Sequence, residues 1–294
     1  MANVISKASL FPVELTGELV NLVKGNSALA ELSGRTPLSF NGNELFTFTL
    51  DKEVDVIAEN GAKSNGGATI DSVTIAPIKV EYGMRVSDEF LIASEEYQIN
   101  VLREFAEGFA RKAARGLDIM ALHGFNPRTG SASAVIGSNH FDAAVSQTVT
   151  QTASANADVE SAVALLVGSG YQATGIAAGN TFNAALAAEV KSSGDPMFPE
   201  LGWGGRPDSV RGIRYRANGT VDYTGTTDLA LVGDFDMFRW GIAREIPAKI
   251  IEYGNPDNDG TAGDLQGHNQ IYIRAEMYLG WGILDPDAFA LIQT

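Results

Sequence analysis

A chain of 294 residues, 45% hydrophobic and 9% aromatic, is ordinary for a globular protein and has apolar surface enough for one or two packed domains. Its 36 acidic against 21 basic residues give a formal net charge of -15, which argues against sequence-specific binding of nucleic acid. The absence of cysteine excludes disulfides, thiolate metal sites and a cysteine nucleophile, and with no signal peptide and no apolar run of transmembrane length the expectation is a soluble protein folded in a cytoplasm, without a membrane partner.

In chain order, Pro12 suits a first helical turn and Leu15, Leu19, Leu22 and Val23 share one face up to Gly25. This segment reads either as an arm that needs a partner surface or as a terminal helix packed on its own domain. Residues 45–86 read as two extended runs. Phe46, Phe48 and Leu50 alternate with polar residues, as do Ile78, Val80, Tyr82, Met84 and Val86, and between the runs Glu59 to Gly67 holds no core-forming residue. The pattern predicts a long hairpin with a soft tip. A two-stranded ribbon is marginal alone in water, so it should lie on another surface, with a neighbouring subunit as the expected one.

From Ser94 to Gly124 the period becomes helical, with Leu102, Phe105, Phe109 and Leu117 on an apolar face and charged residues opposite. At 1.5 Å per residue such a helix is roughly 40 Å long, a strut whose apolar face should meet the alternating run near Ile271, Ile273 and Met277. After a Gly, Ser and Asn-rich connection the pattern alternates helix and strand. Asp158 is placed as a helix cap, Thr174 to Ala178 as a short buried strand, and Asn180 or Thr181 as the cap of a helix to Lys191. Asn218-Gly219, flanked by extended residues, predicts a tight hairpin. Leu229 to Val232, Ile246 to Tyr253 and residues 269–284 are further strands, Asn255 to Gly267 is an acidic loop, and Asp285-Pro286-Asp287 turns the chain before Ala288 to Ile292.

Chemistry-bearing motifs are sparse. His123, His140 and His268 are dispersed, without metal-motif spacing, and read as ordinary surface or turn histidines. Asp257, Asn258, Asp259 and Gly260 lack the terminal glutamate of a calcium loop. Gly168-Ser169-Gly170 follows a helix instead of opening one, and no phosphate-loop or nucleophile-elbow sequence occurs. The expectation is a protein that is not an enzyme, with no catalytic residue, cofactor or metal. The competing reading of another class is an acidic α/β enzyme or ligand-binding protein whose site is built from residues without a motif.

The order of elements and several local sequences carry a resemblance. Val86-Ser87-Asp88-Glu89-Phe90-Leu91 ahead of the long helix, Leu231-Val232-Gly233-Asp234-Phe235, and Arg274-Ala275-Glu276-Met277 followed by Asp285-Pro286-Asp287-Ala288-Phe289 resemble, in this order, the major capsid proteins of tailed bacteriophages with the Hong Kong 97-type fold. The resemblance implies an α+β chain with an N-terminal arm (1–40), an extended loop (41–84), a peripheral domain with a spine helix (85–150), an axial α/β domain (151–267) and a return strand of the peripheral domain (268–294). It also implies self-assembly into hexamers and pentamers of an icosahedral virion shell, built in the host cytoplasm, enclosing double-stranded DNA without reading its sequence. An acidic lining suits that role, because packed DNA then enters and leaves without sticking. Portal, scaffold and decoration proteins are the implied partners; no coiled-coil segment precedes the arm, which resembles systems with a separate scaffold protein or with a short segment already removed, and Met1 favours the former. Phe46, Phe48, Lys52 and Lys63 are the candidate inter-subunit loop residues, the two lysines because the family's type member crosslinks a loop lysine. An encapsulin-like nanocompartment shell shares the fold and is the nearest alternative.

Overall fold

A computed structural model describes Val23 and residues 26–294. The predicted amphipathic helix from Pro12 therefore lies outside the described residues, apart from Val23, which is buried in the core. The described chain opens with helix α1 (Ala28–Leu32) and strand β1 (Gly34–Arg35). Strands β2 (Asn43–Leu50), β3 (Ala68–Ile75) and β4 (Ile78–Ser87) lead to the long helix α2 (Glu95–His123). Then come β5 (Phe125–Asn126), β6 (Ser131–Ala132), α3 (Phe141–Ala144), β7 (Thr148–Thr150), α4 (Ala155–Gly168), β8 (Gly175–Ala178) and α5 (Asn180–Ala187). The chain closes with β9 (Ser209–Val210), β10 (Ile213–Ala217), β11 (Asp228–Gly233), β12 (Phe238–Ile251), β13 (Gln270–Ile283) and β14 (Phe289–Gln293).

Two larger sheets organise these elements. One runs β1-β12-β13-β4, the other β7-β14-β11-β8-β10-β9. In the first sheet β12 and β13 pair over most of their length, with the fully buried Trp240 opposite Trp281. Gly241 stands opposite Gly280, and a side chain at either would strike chain crossing above: the Thr36 carbonyl oxygen for Gly241, the Ala76 carbonyl oxygen at 2.7 Å for Gly280. Two glycines at this register let residues 36–38 and 76 lie directly on the sheet.

Helix α2 ends at Gly124, which takes the left-handed conformation (φ 67) and donates its N–H to the Met120 carbonyl. Its face of Leu102, Phe105, Phe109 and Leu117 is buried in one core with Ile271, Ile273 and Met277 of β13 and Trp240 of β12. Phe141 of α3 continues this core to Phe238 and Phe289, with ring centroids 5.3 and 4.9 Å away. The central strands β14, β11 and β8 of the second sheet are buried on both faces, which explains why β11 reads as a nearly unbroken apolar run. By strand alternation Ala177, Leu231 and Leu291 face the α2 core, while Ile176, Ala178, Ala230, Val232, Ala290 and Ile292 face a second core with Leu166 of α4 and Phe182 of α5.

The structure redraws several expected boundaries. The hairpin is β2 with β3, whereas Ile78 to Ser87, read as its second arm, pairs with β13 at the edge of the first sheet. The Ala76-Pro77 break separates β3 from β4, two strands of like period that alternation alone does not tell apart. Residues 28–38, counted in the arm, belong to the body: Ala28, Leu29, Ala30 and Leu32 are buried, and β1 pairs with β12. The segments 151–267 and 268–294 each contribute to both sheets, because β12 pairs with β13 and the last strand, β14, crosses to lie between β7 and β11. The cap of α4 is Ser154, whose hydroxyl accepts from the Ala157 N–H, and Asp158 instead accepts from Thr152 inside the first turn. Helix α5 starts after Gly179 and ends at Ala187, with Asp222 accepting the Thr181 N–H from outside. Finally, Asn218-Gly219 forms a turn with no strand after it, since β10 is already paired with β8 and β9 and Thr220 is drawn towards α2.

Candidate assembly surface and buried charged junction

In the β2–β3 hairpin, register puts Phe46 opposite Ser72, Phe48 opposite Ile70 and Leu50 opposite Ala68, so these six share one face. That face has no cover among the described residues: Phe46, Phe48 and Ile70 are 67%, 63% and 64% exposed. The opposite face, with Leu45, Thr47 and Val73, is half-buried. The connection from 51 to 67 is exposed throughout and includes Val54 and Val56. At its base the Asp51 carboxylate accepts the Gly67 N–H at 2.7 Å, and Lys52 donates to the Asn65 carbonyl at 3.1 Å. Lys63 lies on the exposed tip. Val54, Val56 and Trp203, the last fully exposed with φ 58 in the turn Pro199–Gly204, are not legible in the sequence, because isolated apolar residues in turns carry no periodicity to mark them.

Arg85 on β4 organises the acidic loop. Its guanidinium takes Asp257 with two bonds, 2.8 and 2.5 Å, and also donates to Asn255, Gln270 and the carbonyls of Ala262 and Gly263. This pairing holds the Asp257 carboxyl down at about 2. The loop that resembled a fragment of a calcium site is thus wrapped around an arginine.

The C-terminal half of α2 carries two buried ionisable groups. Asp118 is fully buried and accepts from the Ser27 hydroxyl, the Ala28 and Leu29 N–H groups, Asn218 and the Thr220 hydroxyl. It therefore caps α1 from the side of α2 and fixes the turn after β10. Burial raises its pKa, against the opposing pull of these donors. Five residues on, His123 is also buried, in contrast to the surface or turn position expected of it. Its Nε2 lies 3.0 Å from the Thr220 carbonyl, and its Nδ1 lies 3.0 Å from Asp142 Oδ2 and 3.1 Å from Asp228 Oδ2. Burial alone would lower the His123 pKa, but the two carboxylates outweigh it and hold it at about 9. Asp142 is pushed up to about 6, first by burial, whereas Asp228 is held below its ordinary value by His123, Asp142 and Gln293 despite its burial. No local spacing announces this cluster, because its members come from α2, α3 and β11. His140 stands alongside with its pKa lowered by burial, and His268 is exposed.

Among the described residues no helix is long and apolar enough to cross a membrane. The tertiary arrangement has close counterparts. A structure from Mycobacterium phage Ogopogo is 33% identical with a TM-score of 0.77, covering 91% of this chain and 92% of that one. One from Gordonia phage Cozz is 25% identical with a TM-score of 0.75, covering 91% of this chain and 86% of the other. The capsid of an empty GTA particle shares the fold at 15% identity and a TM-score of 0.63, over 91% of this chain and 89% of that one. No curated protein sequence matches. The phage capsid family's sequence model, however, matches residues 8–294, nearly the whole chain. With the long helix, the projecting hairpin and the two sheets in place, the chain belongs to the phage capsid family as a major capsid protein of Hong Kong 97-type fold, a structural component of a virion shell and not an enzyme.

Proposed function

We propose that this capsid protein forms hexamers and pentamers of an icosahedral head around double-stranded DNA, and that the β2–β3 hairpin lies across a neighbouring copy. The observation that carries the reading is the unpaired apolar face of Phe46, Phe48, Leu50 and Ile70 on an element that projects from a well-filled core. Monomeric proteins rarely leave such a patch open. Burying large apolar side chains contributes about 1.5–3 kcal/mol each, so a face of four is a strong contact when repeated around a closed shell. In family terms β2–β3 is the extended loop, α2 the spine helix, the first sheet the peripheral sheet and the second sheet the axial one. Lys52 and Lys63 remain the loop candidates for inter-subunit contact or crosslinking. Portal, scaffold and decoration proteins are the further partners of this reading, with assembly in the host cytoplasm.

The test is deletion of residues 60–66, or Phe46→Ser with Phe48→Ser, followed by sedimentation and negative-stain imaging. The expected result is folded subunits with reduced particle yield. Normal particles from the double serine variant would show that this face makes no assembly contact.

A further inference from the structure

The His123 cluster has no part in the assembly reading, yet it is built like a ligand site. Thr220 offers a carbonyl, which only accepts, so Nε2 of His123 carries a hydrogen and Nδ1 is the atom turned to the carboxylates. An Nδ1 lone pair facing two carboxylate oxygens at 3.0 and 3.1 Å needs a positive particle between them. A proton on Nδ1 makes one well-directed bond. It serves Asp142 and leaves Oδ2 of Asp228, a residue only 3% exposed, without a hydrogen-bond partner. A buried orphan oxygen of this kind calls for an ion or water. With the proton, one positive charge also faces two negative ones.

We propose that His123 Nδ1, Asp142 Oδ2 and Asp228 Oδ2 bind a divalent cation of the zinc class, which takes the place of the Nδ1 proton. The three donor atoms lie within 4.8 Å of one another. Bonds of about 2.0–2.2 Å to a tetrahedral zinc ion place neighbouring donors about 3.3 Å apart, so Nδ1 needs to separate from each carboxylate oxygen by only a few tenths of an ångström. Binding releases one proton to solvent and leaves neutral imidazole, two carboxylates and a doubly charged cation, a site with no net charge. One imidazole and two carboxylates are ligands that zinc accepts. The outer supports are present too: Thr220 accepts from the far ring nitrogen, and Gln293 donates to Asp228 Oδ1 at 2.8 Å. Asp142, with 26% of its side chain exposed, leaves a side open for entry and for a water as fourth ligand. A bound cation would tie the end of α2 to α3 and to β11 of the second sheet.

Full-length protein is loaded with Zn2+ or Co2+, dialysed extensively and measured by elemental analysis, with visible absorption reporting the Co2+ environment. The expected result is one ion per chain, four-coordinate Co2+ bands, and loss of both in Asp142→Asn and Asp228→Asn. Gln293→Leu should weaken affinity about 10–100-fold, and His268→Ala should bind as wild type. Asp142 lies at the rim, so its asparagine variant is the one expected to keep the native unfolding temperature in metal-free buffer. Wild-type protein that retains no stoichiometric metal, or retention undiminished in both asparagine variants, overturns the proposal and leaves an imidazolium bridging two carboxylates.

Discussion

The hairpin β2–β3 and the helix α2 are both amphipathic, and they differ in where their apolar faces go. Leu102, Phe105, Phe109 and Leu117 of α2 are buried against β12 and β13 of the same chain. Phe46, Phe48 and Ile70 of the hairpin alternate just as regularly, and among the described residues none covers them. Periodicity therefore reports that a face needs burial, without saying which molecule buries it. The distinction lies in what surrounds the element: α2 is followed by a chain that returns over it, and the hairpin runs from the buried Ile75 at one end out to the exposed connection 51–67 at the other.

That contrast is open to direct attack. The largest effect is expected from Phe109→Ala, which should cost about 3–5 kcal/mol in denaturant unfolding of unassembled subunits. Stability equal to wild type would mean that the helix face is not a core. Asp118→Asn should cost about 1–3 kcal/mol, because both carboxylate oxygens only accept hydrogen bonds, and an amide nitrogen in place of either meets a donor. A thermal scan that leaves Asp118→Asn unchanged would remove the anchoring of α1 to α2.

A smaller effect is expected from acid. The folded-state pKa of Asp257, about 2, lies below the ordinary aspartate value of about 3.9. Its pairing with Arg85 therefore contributes stability above about pH 4, and the contribution disappears as pH falls through about 2. The stability gap between wild type and Asp257→Asn should close over that window; a gap undiminished between about pH 5 and pH 2 would contradict the pairing. At the small end, Phe48→Ser and Lys63→Ala should each change subunit stability by less than about 0.5 kcal/mol, since both side chains are exposed. Only Phe48→Ser should lower particle yield. A large loss of subunit stability in Phe48→Ser would place the hairpin face in the fold instead of in the shell.

Much of this was legible in the residues. Helical spacing from Leu102 to Leu117 locates α2 and its buried face, and alternation marks β2, β4 and β13 near their observed limits. The order of elements carried the family resemblance that the sequence model and the solved structures bear out. Local periodicity sufficed there because the information is contained within one element.

What the sequence could not determine depends on residues distant along the chain. Whether Ile78 to Ser87 completes a hairpin or pairs with β13 is decided by a competition between two alternating partners, and the longer strand, buried beneath α2, wins. Asn218-Gly219 suits a two-residue hairpin, yet the hydrogen bonds of Thr220 to Asp118 and His123 require the chain to turn towards α2. His123 looked isolated because Asp142 and Asp228 reach it from α3 and β11, elements that share no period with α2. The sequence by itself determined which faces need burial; only tertiary packing decided which distant groups meet, since desolvation and charge pairing act through space and leave no spacing along the chain.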